Sequence, residues 1–318
     1  MLDVATLVAA GKTPLLKTNL HGVGERTQGK VRDIYVDNGK RLLVATDRFS
    51  AFDRVLGAIP HRGQVLTLLS AWWFHRLQDV VANHMVDILD PNVMVCKDAE
   101  PLPVEVIVRG YITGVTPTSL WTLYSNGVEK PYGLTLPAGL KKNDKLAEPV
   151  ITPTTKGHAG QRDERLTEAE VVSTGLISAE LWQKVRTAAL ALFNKGTEIA
   201  AAGGLILVDT KYEFGLINGE LTLIDEVHTP DSSRFWKAAD YEKAIVEGRE
   251  PEGFSKEFLR LWLKGQGFDG DGEAPTVPEE LLAKAAQRYI AVFEALTGSD
   301  FRPAPLPAND RITNNLYR

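Results

Sequence analysis

Apolar residues recur along the chain with two periods, and each period predicts one kind of secondary structure. Strand-like segments on both sides of Asn38-Gly39 and of Asn218-Gly219 predict two β-hairpins with tight turns. A β-rich run over 104–111 predicts a further strand. Helices are predicted by apolar positions at helical spacing and by capping residues in the segments 64–81, 119–124, 178–203, 255–264 and 278–296.

The order of these elements is hairpin, helix, strand, a long loop over 131–165, helix, hairpin and helices. Because this order lacks the regular alternation of a doubly wound sheet, it predicts an α+β fold. The length of 318 residues predicts about two domains, or one large body with insertions. No internal repeat is present along the chain.

Composition excludes several functional classes. With 36 Lys and Arg against 41 Asp and Glu, the chain lacks an overall positive charge that would attract nucleic acids or anionic membranes. The one cysteine, Cys96, excludes an intramolecular disulfide framework and reads as a buried thiol. No apolar stretch reaches the roughly 18 residues of a membrane span, and the N-terminus lacks signal-peptide features. We therefore expect a cytoplasmic protein, monomeric rather than oligomeric, without nucleic-acid or membrane partners.

A glycine–lysine turn precedes the first hairpin. The segment 24–30 has the GxxxxGK spacing of a P-loop, but Val31 replaces the metal-binding hydroxyl and a strand follows instead of a helix. We therefore reject the P-loop interpretation. Backbone amides at this turn could still lie over phosphates, with Lys30 as a point charge. Taken alone, Lys30 fits an exposed lysine beside a turn better.

The strand of the second hairpin carries three charged residues spaced two apart, Asp209, Lys211 and Glu213. Strand alternation places them on one face, with Leu205 and Leu207 at its start. The opposite face then takes the apolar residues Ile206, Val208, Tyr212 and Phe214. Two acids and a lysine on one face of an apolar strand indicate that this face borders a cleft.

The returning strand of this hairpin ends in two acidic residues, and the turn length decides which face they join. A two-residue turn pairs Tyr212 with Asp225, whereas a three-residue loop pairs Lys211 with Asp225. We prefer the second register because it places apolar side chains together. It brings Glu213 and Asp225 close enough to share a hard cation such as nucleotide-bound Mg²⁺. A cross-strand ladder of salt bridges fits the same residues equally well.

Two further segments combine an arginine with a predicted helix start, which suits an anion. Arg109 precedes Ser119 in the first, and Arg234 closes the segment 230–234 in the second. Simple helix capping explains each segment taken singly. Together with the carboxylate face, they predict a nucleotide- or phosphate-binding α+β enzyme that uses Mg²⁺.

The chain resembles the phosphoribosylaminoimidazole-succinocarboxamide synthase (SAICAR synthetase) family over nearly its whole length, in the family's longer single-function form. The C-terminal extension of that form corresponds to 255–267 and 278–298. The resemblance is carried by motifs in the family's order: 29–35 (GKVRDIY), 45–53 (ATDRFSAFD), 108–114 (VRGYITG), 152–156 (TPTTK), 208–215 (VDTKYEFG) and 225–236 (DEVHTPDSSRFW).

This resemblance implies an ATP-dependent amide ligase of purine biosynthesis. ATP, L-aspartate and the carboxylate of carboxyaminoimidazole ribonucleotide would give SAICAR, ADP and phosphate. The carboxylate would first become an acyl phosphate, although amide addition before phosphoryl transfer stays open. The implied fold has an N-terminal antiparallel β lobe over 1–100, similar to a kinase small lobe. A larger α+β lobe over 101–318 carries the C-terminal helices, and ATP binds between the lobes.

The resemblance also implies roles for individual residues. The ATP-binding residues are Gly29, Lys30, Val31, Arg32, Glu213 and Asp225, of which Glu213 and Asp225 also bind Mg²⁺. The catalytic residues are Lys211, which neutralises the transferring phosphoryl group, and Lys156 and Asp163, which reach the reacting carboxylate and amine. The residues that hold the ribonucleotide phosphate are Arg109, Ser119 and Arg234. The remaining substrate contacts are Ser50 and Asp53.

Two other classes of protein fit the same nucleotide cleft. One is a small-molecule kinase with a hydroxyl acceptor, and the other is a nucleotide-sensing protein without turnover. Release of ADP that requires both L-aspartate and the ribonucleotide would distinguish the ligase from both.

Overall fold

A computed structural model describes residues 2–157 and 163–317, which form a mixed α/β fold with antiparallel sheets. In this part of the chain the strands are β1 (Glu25–Gln28), β2 (Arg32–Asp37), β3 (Lys40–Ala45), β4 (Arg48–Ala51), β5 (Arg54–Ala58), β6 (Met85–Asp90), β7 (Val93–Lys97), β8 (Glu100–Tyr111), β9 (Lys145–Ile151), β10 (Thr154–Thr155), β11 (Leu205–Ile217), β12 (Glu220–Ile224) and β13 (Ser233–Lys237). The helices are α1 (Val4–Ala10), α2 (Arg62–Leu77), α3 (Leu120–Ser125), α4 (Glu168–Ser173), α5 (Ala179–Ala202), α6 (Ala238–Glu247), α7 (Glu257–Gly265), α8 (Glu279–Thr297) and α9 (Ala308–Leu316).

The N-terminal sheet has the strand order β1-β2-β3-β7-β6, and its neighbours run antiparallel. The first predicted hairpin is confirmed, because β2 and β3 are joined by the two-residue turn Asn38-Gly39. Both turn residues have positive φ, at 49° and 73°, as this tight turn requires. Strands β4 and β5 form a separate hairpin whose tip is Phe52-Asp53.

The second sheet is built around the 13-residue strand β11, which pairs with β8, β12 and β13. Strands β9 and β10 pair with the other edge of β8. They lie inside the segment 131–165, so the prediction of one long loop there is wrong. The segment shows no clear alternation because β9 (KLAEPVI) is interrupted by Pro149, which is tolerated at an edge, and because β10 has only two residues.

The predicted helix start at 230–234 is also wrong, because Ser233–Lys237 forms β13. Phe235 and Trp236 point to opposite faces of the sheet and enter two different apolar clusters. Neighbouring aromatic residues that are buried on both faces favour a strand over a helix.

The preferred three-residue register of the second hairpin is wrong. Ile217 pairs with Glu220 and Glu213 pairs with Ile224, which corresponds to the two-residue turn. The objection to that register is that a strand continuing past Ile224 would bury Asp225 among apolar side chains. The structure removes the objection, since β12 ends at Ile224 and Asp225 has a φ of 67°. A left-handed residue breaks the strand alternation, so the Asp225 side chain leaves the apolar face.

The start of β11 also departs from simple alternation. The β11–β13 ladder shifts between Leu207 and Asp209, as it does at a β-bulge. Leu205 and Leu207 therefore pack in the main core with Tyr212, on the face opposite to the charged residues. Asp209 and the charged residues that follow it still share one face, as predicted.

The main core lies between this second sheet and α5, and it continues through α2 to the N-terminal sheet. The predicted ends of α5 are confirmed, with Ser178 accepting from the Leu181 N–H and Gly203 at the C-cap. Cys96 is buried in this core, as predicted. Helix α8 packs on α1 and α2, and α9 packs on the N-terminal sheet. Within the described residues, no helix has the length and apolar character to span a bilayer.

Candidate active site

A cavity of about 760 Å³ opens between the glycine–lysine turn and β4–β5 hairpin on one side and the second sheet on the other. All of the predicted site residues line it: Gly29, Lys30, Val31, Arg32, Ser50, Asp53, Arg109, Ser119, Lys156, Asp163, Lys211, Glu213, Asp225 and Arg234. The structure therefore brings together residues that lie up to 205 positions apart in the chain (234 − 29 = 205). Their individual roles stay predictions.

The glycine–lysine turn forms one wall of this cavity. The Gly29 N–H donates to the Arg32 carbonyl at 2.8 Å and closes the turn. The Lys30 ammonium contacts Asp53 at 2.6 Å across the mouth of the cavity, and both side chains are about half exposed. Lys30 is thus exposed beside a turn and also faces the cavity, so the two interpretations of this residue are compatible.

The charged face of β11 forms the floor of the cavity. Lys211 donates to Glu105 at 2.7 Å and also contacts Glu213, and Lys156 donates to Glu213 at 2.6 Å. Glu105 stands directly opposite Glu213 on β8, an arrangement that is unfavourable for like charges unless a cation lies between them. Glu105 was not predicted as a site residue, because its position depends on the register of β8 and β11.

The pKa values of this network reflect burial and mutual charge. Burial raises the pKa of Glu213, but the charges of Lys211 and Lys156 outweigh it, so the pKa lies well below its ordinary value. Burial lowers the pKa of Lys211, yet Glu213 and Glu105 raise it well above its ordinary value. Burial raises the pKa of Glu105, and Lys211 opposes this effect. Glu213 is therefore ionised and Lys211 charged at neutral pH.

Asp225 reaches the same cavity from the end of β12. It accepts a hydrogen bond from Arg32, whose guanidinium also lies 3.2 Å from Glu226. Burial raises the pKa of Asp225, Arg32 opposes this, and the nearby charge of Glu213 adds to it. Glu213 and Asp225 are thus two carboxylates that repel each other at one cavity, and each already has a cationic partner.

The carboxylates of the site are the candidate metal ligands. Within the described residues, no group of three or more His, Cys, Asp and Glu side chains is arranged to hold a metal ion. Mg²⁺ commonly takes only one or two protein carboxylates and completes its shell with phosphate oxygens and water. The pair Glu213 and Asp225 fits that donor set, provided that a phosphate supplies further oxygens.

A second half of the cavity carries two arginines that share one acidic residue. Asp209 stands opposite Arg109 on β8 and opposite Arg234 on β13. Arg109 donates to its carboxylate at 3.1 Å, and Arg234 donates to the same oxygen. Arg109 also donates to the Thr152 hydroxyl at 2.8 Å, which fixes its orientation. Arg234 also lies 3.4 Å from Glu257, which pairs with Arg260 in turn, so the three arginines and two carboxylates of this cluster keep a formal charge of +1.

Ser119 lies beside this arginine pair and is the N-cap of α3, as predicted. Its hydroxyl oxygen accepts from the Thr122 N–H and donates to the Thr116 carbonyl. Gly114, with a φ of 105°, packs closely against it. A Cβ at position 114 would lie 2.5 Å from the Ser119 Cβ and 3.3 Å from Arg234 Nη2. Glycine at this position is therefore required for the arrangement, a constraint that the sequence motif alone did not reveal.

Asp163 and Lys156 occupy the edge of the cavity. The Asp163 carboxylate accepts from the Gly157 N–H at 2.9 Å, which fixes its position relative to Gly157. On the opposite edge, the buried Asp231 accepts from Lys256 at 3.1 Å and from Arg62 and Tyr289. Sequence reasoning missed this cluster, because its members come from four separate segments.

Taken together, the fold and the cavity define an α/β protein that can bind several anionic groups side by side, next to paired carboxylates. A family model described as SAICAR synthetase matches residues 25–276, which is well over half of the chain. The chain belongs to the SAICAR synthetase family.

Curated relatives and solved structures agree with this assignment. The phosphoribosylaminoimidazole-succinocarboxamide synthase of Legionella pneumophila (strain Paris) is 48% identical over 299 residues, which cover 93% of this chain and 95% of that protein. The SAICAR synthase of Saccharomyces cerevisiae, solved with SAICAR, is 36% identical with a TM-score of 0.77, and the match covers 90% of this chain and 99% of that one. A SAICAR synthetase solved with ADP has a TM-score of 0.66 over 87% of this chain and all of that one; at 23% identity it supports the fold.

Proposed function

We propose that this protein joins L-aspartate to the carboxylate of carboxyaminoimidazole ribonucleotide at the expense of ATP, in the step of purine biosynthesis that yields SAICAR. Family membership and the close relatives support this proposal. The observation that carries it is the composition of the cavity. A carboxylate pair with two lysines lies next to an arginine pair, so a triphosphate and a phosphorylated acid can bind side by side.

The nucleotide is proposed to bind between two lobes, as in kinases. Residues 1–100 would form the smaller lobe with the N-terminal sheet, and residues 101–318 the larger lobe. The turn from Gly29 to Arg32 would lie over the phosphates, with Lys30 released from Asp53 as their counter-charge. The position of this turn at the cavity wall supports the assignment.

Glu213 and Asp225 would hold Mg²⁺ together with phosphate oxygens. The ion would neutralise phosphate charge and orient the triphosphate. Lys211 would stabilise the charge that develops on the transferring phosphoryl group, because its ammonium is fixed by Glu105 and Glu213 on the cavity floor. Arg32 would stay paired with Asp225 and keep that carboxylate oriented.

The chemistry requires activation of the acid, since a carboxylate has no leaving group better than oxide. Transfer of the γ-phosphoryl group to a carboxylate oxygen gives an acyl phosphate and ADP. The aspartate amine then attacks the carbonyl carbon, phosphate leaves with the transferred oxygen, and the amine loses a proton. Lys156 and Asp163 would contact the reacting carboxylate and amine, which their place at the cavity edge allows.

The ribonucleotide phosphate would bind to Arg109 and Arg234, whose cluster with Asp209 keeps a net positive charge. Ser119 would add a hydroxyl contact, and Ser50 and Asp53 would contact the substrates from the β4–β5 hairpin. A monomeric state and a cytoplasmic location complete the proposal.

An omission experiment tests this function. ADP release is measured with ATP and Mg²⁺ in the presence of L-aspartate, the ribonucleotide, both or neither. The proposal predicts rapid ADP release only when both are present. ADP release that does not depend on aspartate would indicate a small-molecule kinase. Tight ATP binding without any ADP release would indicate a nucleotide sensor. Either result would contradict the ligase assignment.

A further inference from the structure

A buried arginine lies directly behind the glycine–lysine turn. Arg48 Nη2 donates to the Gly29 and Arg32 carbonyls at 3.0 Å each, and Arg48 Nε donates to the Lys30 carbonyl at 3.1 Å. One guanidinium therefore takes three of the four carbonyl oxygens of residues 29–32. Because its planar donors have fixed directions, these carbonyls are held toward the protein interior.

The remaining carbonyl of the turn is also taken. Val31 accepts from the Thr46 N–H at 3.1 Å and from the Thr46 hydroxyl at 2.7 Å. In contrast, within the described part of the chain neither the Lys30 N–H nor the Val31 N–H donates to a backbone or side-chain acceptor. A turn whose carbonyls all point inward presents its amide hydrogens outward, and successive amides of this kind form an anion-binding concavity.

The arginine is itself fixed by a buried counter-ion. Both Nη atoms of Arg48 lie 3.1 Å from one oxygen of Asp33, and the other oxygen accepts from Thr18. The Asp33 side chain is fully buried and that of Arg48 is 5% exposed. The two buried charges of Arg48 and Asp33 therefore neutralise each other and are both hydrogen-bonded, as buried charged groups in proteins usually are.

We propose that Arg48 is the positioning residue of the phosphate-binding turn, with Asp33 as its anchor. By occupying the carbonyls of residues 29, 30 and 32, it removes negative dipole ends from the cavity wall. The free amides and the Lys30 ammonium are then aimed at the nucleotide phosphates. This inference rests on the proposed function and adds to that function the group that shapes the turn, the Arg48 guanidinium.

The variant Arg48→Lys tests the proposal, because lysine keeps the charge but cannot bridge three carbonyls. We expect the KM for ATP to rise about tenfold, the effect of losing a hydrogen bond to a charged group. The KM values for L-aspartate and the ribonucleotide are expected to change less than about twofold. Isothermal titration calorimetry with Mg·ADP reports the same loss of affinity without relying on turnover.

The matched control is Arg311→Lys. Arg311 is another arginine with little exposure, 13% of its side chain, which donates to Asp90, to the Asn92 side chain and to the Pro305 carbonyl, and it does not line the cavity in the described structure. A comparable loss of stability without a change in the KM for ATP is expected there. If Arg48→Lys behaved in the same way, with lower stability and unchanged nucleotide affinity, its role would be purely structural and the proposal would be overturned.

A milder variant covers the case in which Arg48→Lys does not fold. Thr46→Val removes the hydroxyl that contacts the Val31 carbonyl while the backbone contact stays. A rise of about twofold to threefold in the KM for ATP is expected. An unchanged KM would again refute the positioning role. If wild-type protein bound Mg·ADP but released no ADP with all substrates, the proposed function would fail, and calorimetry on these variants would still test the inference.

Discussion

Replacing Arg234 by alanine removes one of the two guanidinium groups that share the Asp209 carboxylate. The formal charge of the cluster with Arg109 then falls from +1 to 0. Asp209 keeps only one cationic partner, so the remaining guanidinium is more fully neutralised. The variant therefore loses both a direct donor to the ribonucleotide phosphate and the net charge that attracts it.

The size of this effect follows from the contact that is lost. A hydrogen bond between charged groups contributes about 1.5–3 kcal/mol, which corresponds to roughly 10- to 100-fold in affinity. We expect the KM for the ribonucleotide to rise by that factor, while the KM for ATP changes less than about threefold. Initial rates of ADP release, with each substrate varied at saturating levels of the other two, give both values.

The control for Arg234→Ala is Arg249→Ala. Arg249 is a partly exposed arginine that pairs with Asp240 and Glu247 outside the cavity. It should leave all three KM values unchanged. Equal increases in the KM for ATP and for the ribonucleotide in Arg234→Ala would show that this arginine does not bind the phosphate, and the assignment of the arginine cluster would be wrong.

The remaining predictions concern other parts of the site. Glu213→Ala and Asp225→Ala should each weaken Mg·ATP binding or phosphoryl transfer, seen as a shifted Mg²⁺ dependence; wild-type turnover in both would refute the metal assignment. Gly114→Ala should lower stability and raise the KM for the ribonucleotide, because its Cβ meets Ser119 at 2.5 Å; unchanged kinetics would show that this close approach is unimportant. Burial raises the pKa of Asp231, but its cationic partners lower it below the ordinary 3.8, so its stabilisation is complete above that pH and is lost as the pH falls. The difference in unfolding free energy between wild type and Asp231→Asn should therefore shrink on acidification, and a constant difference would contradict this.

The parts of the fold that local patterns determine were predictable. The turn at Asn38-Gly39, the existence of a hairpin around Asn218-Gly219, the helix over 178–203 and the charged face of β11 each depend on residues close in sequence. The site residues that the family motifs indicated also line one cavity. These features need no knowledge of which strands become neighbours.

The parts that depend on tertiary pairing were not predictable. The register of β12 was missed because a single left-handed residue, Asp225, releases its side chain from the strand pattern. The bulge after Leu207 and the strand β13 arise from pairing with β11. Glu105 and Arg48 were missed as site residues for the same reason, since their partners are set by cross-strand contacts and buried backbone carbonyls.

The central claim is that ATP activates the carboxylate of the ribonucleotide for attack by the aspartate amine. Ribonucleotide labelled with ¹⁸O in that carboxylate, turned over with ATP and L-aspartate, tests it most directly. Mass spectrometry should find one ¹⁸O atom transferred to inorganic phosphate for each amide formed, whichever step comes first. Phosphate free of the label, with the displaced ¹⁸O released as water while the amide forms, would contradict the account.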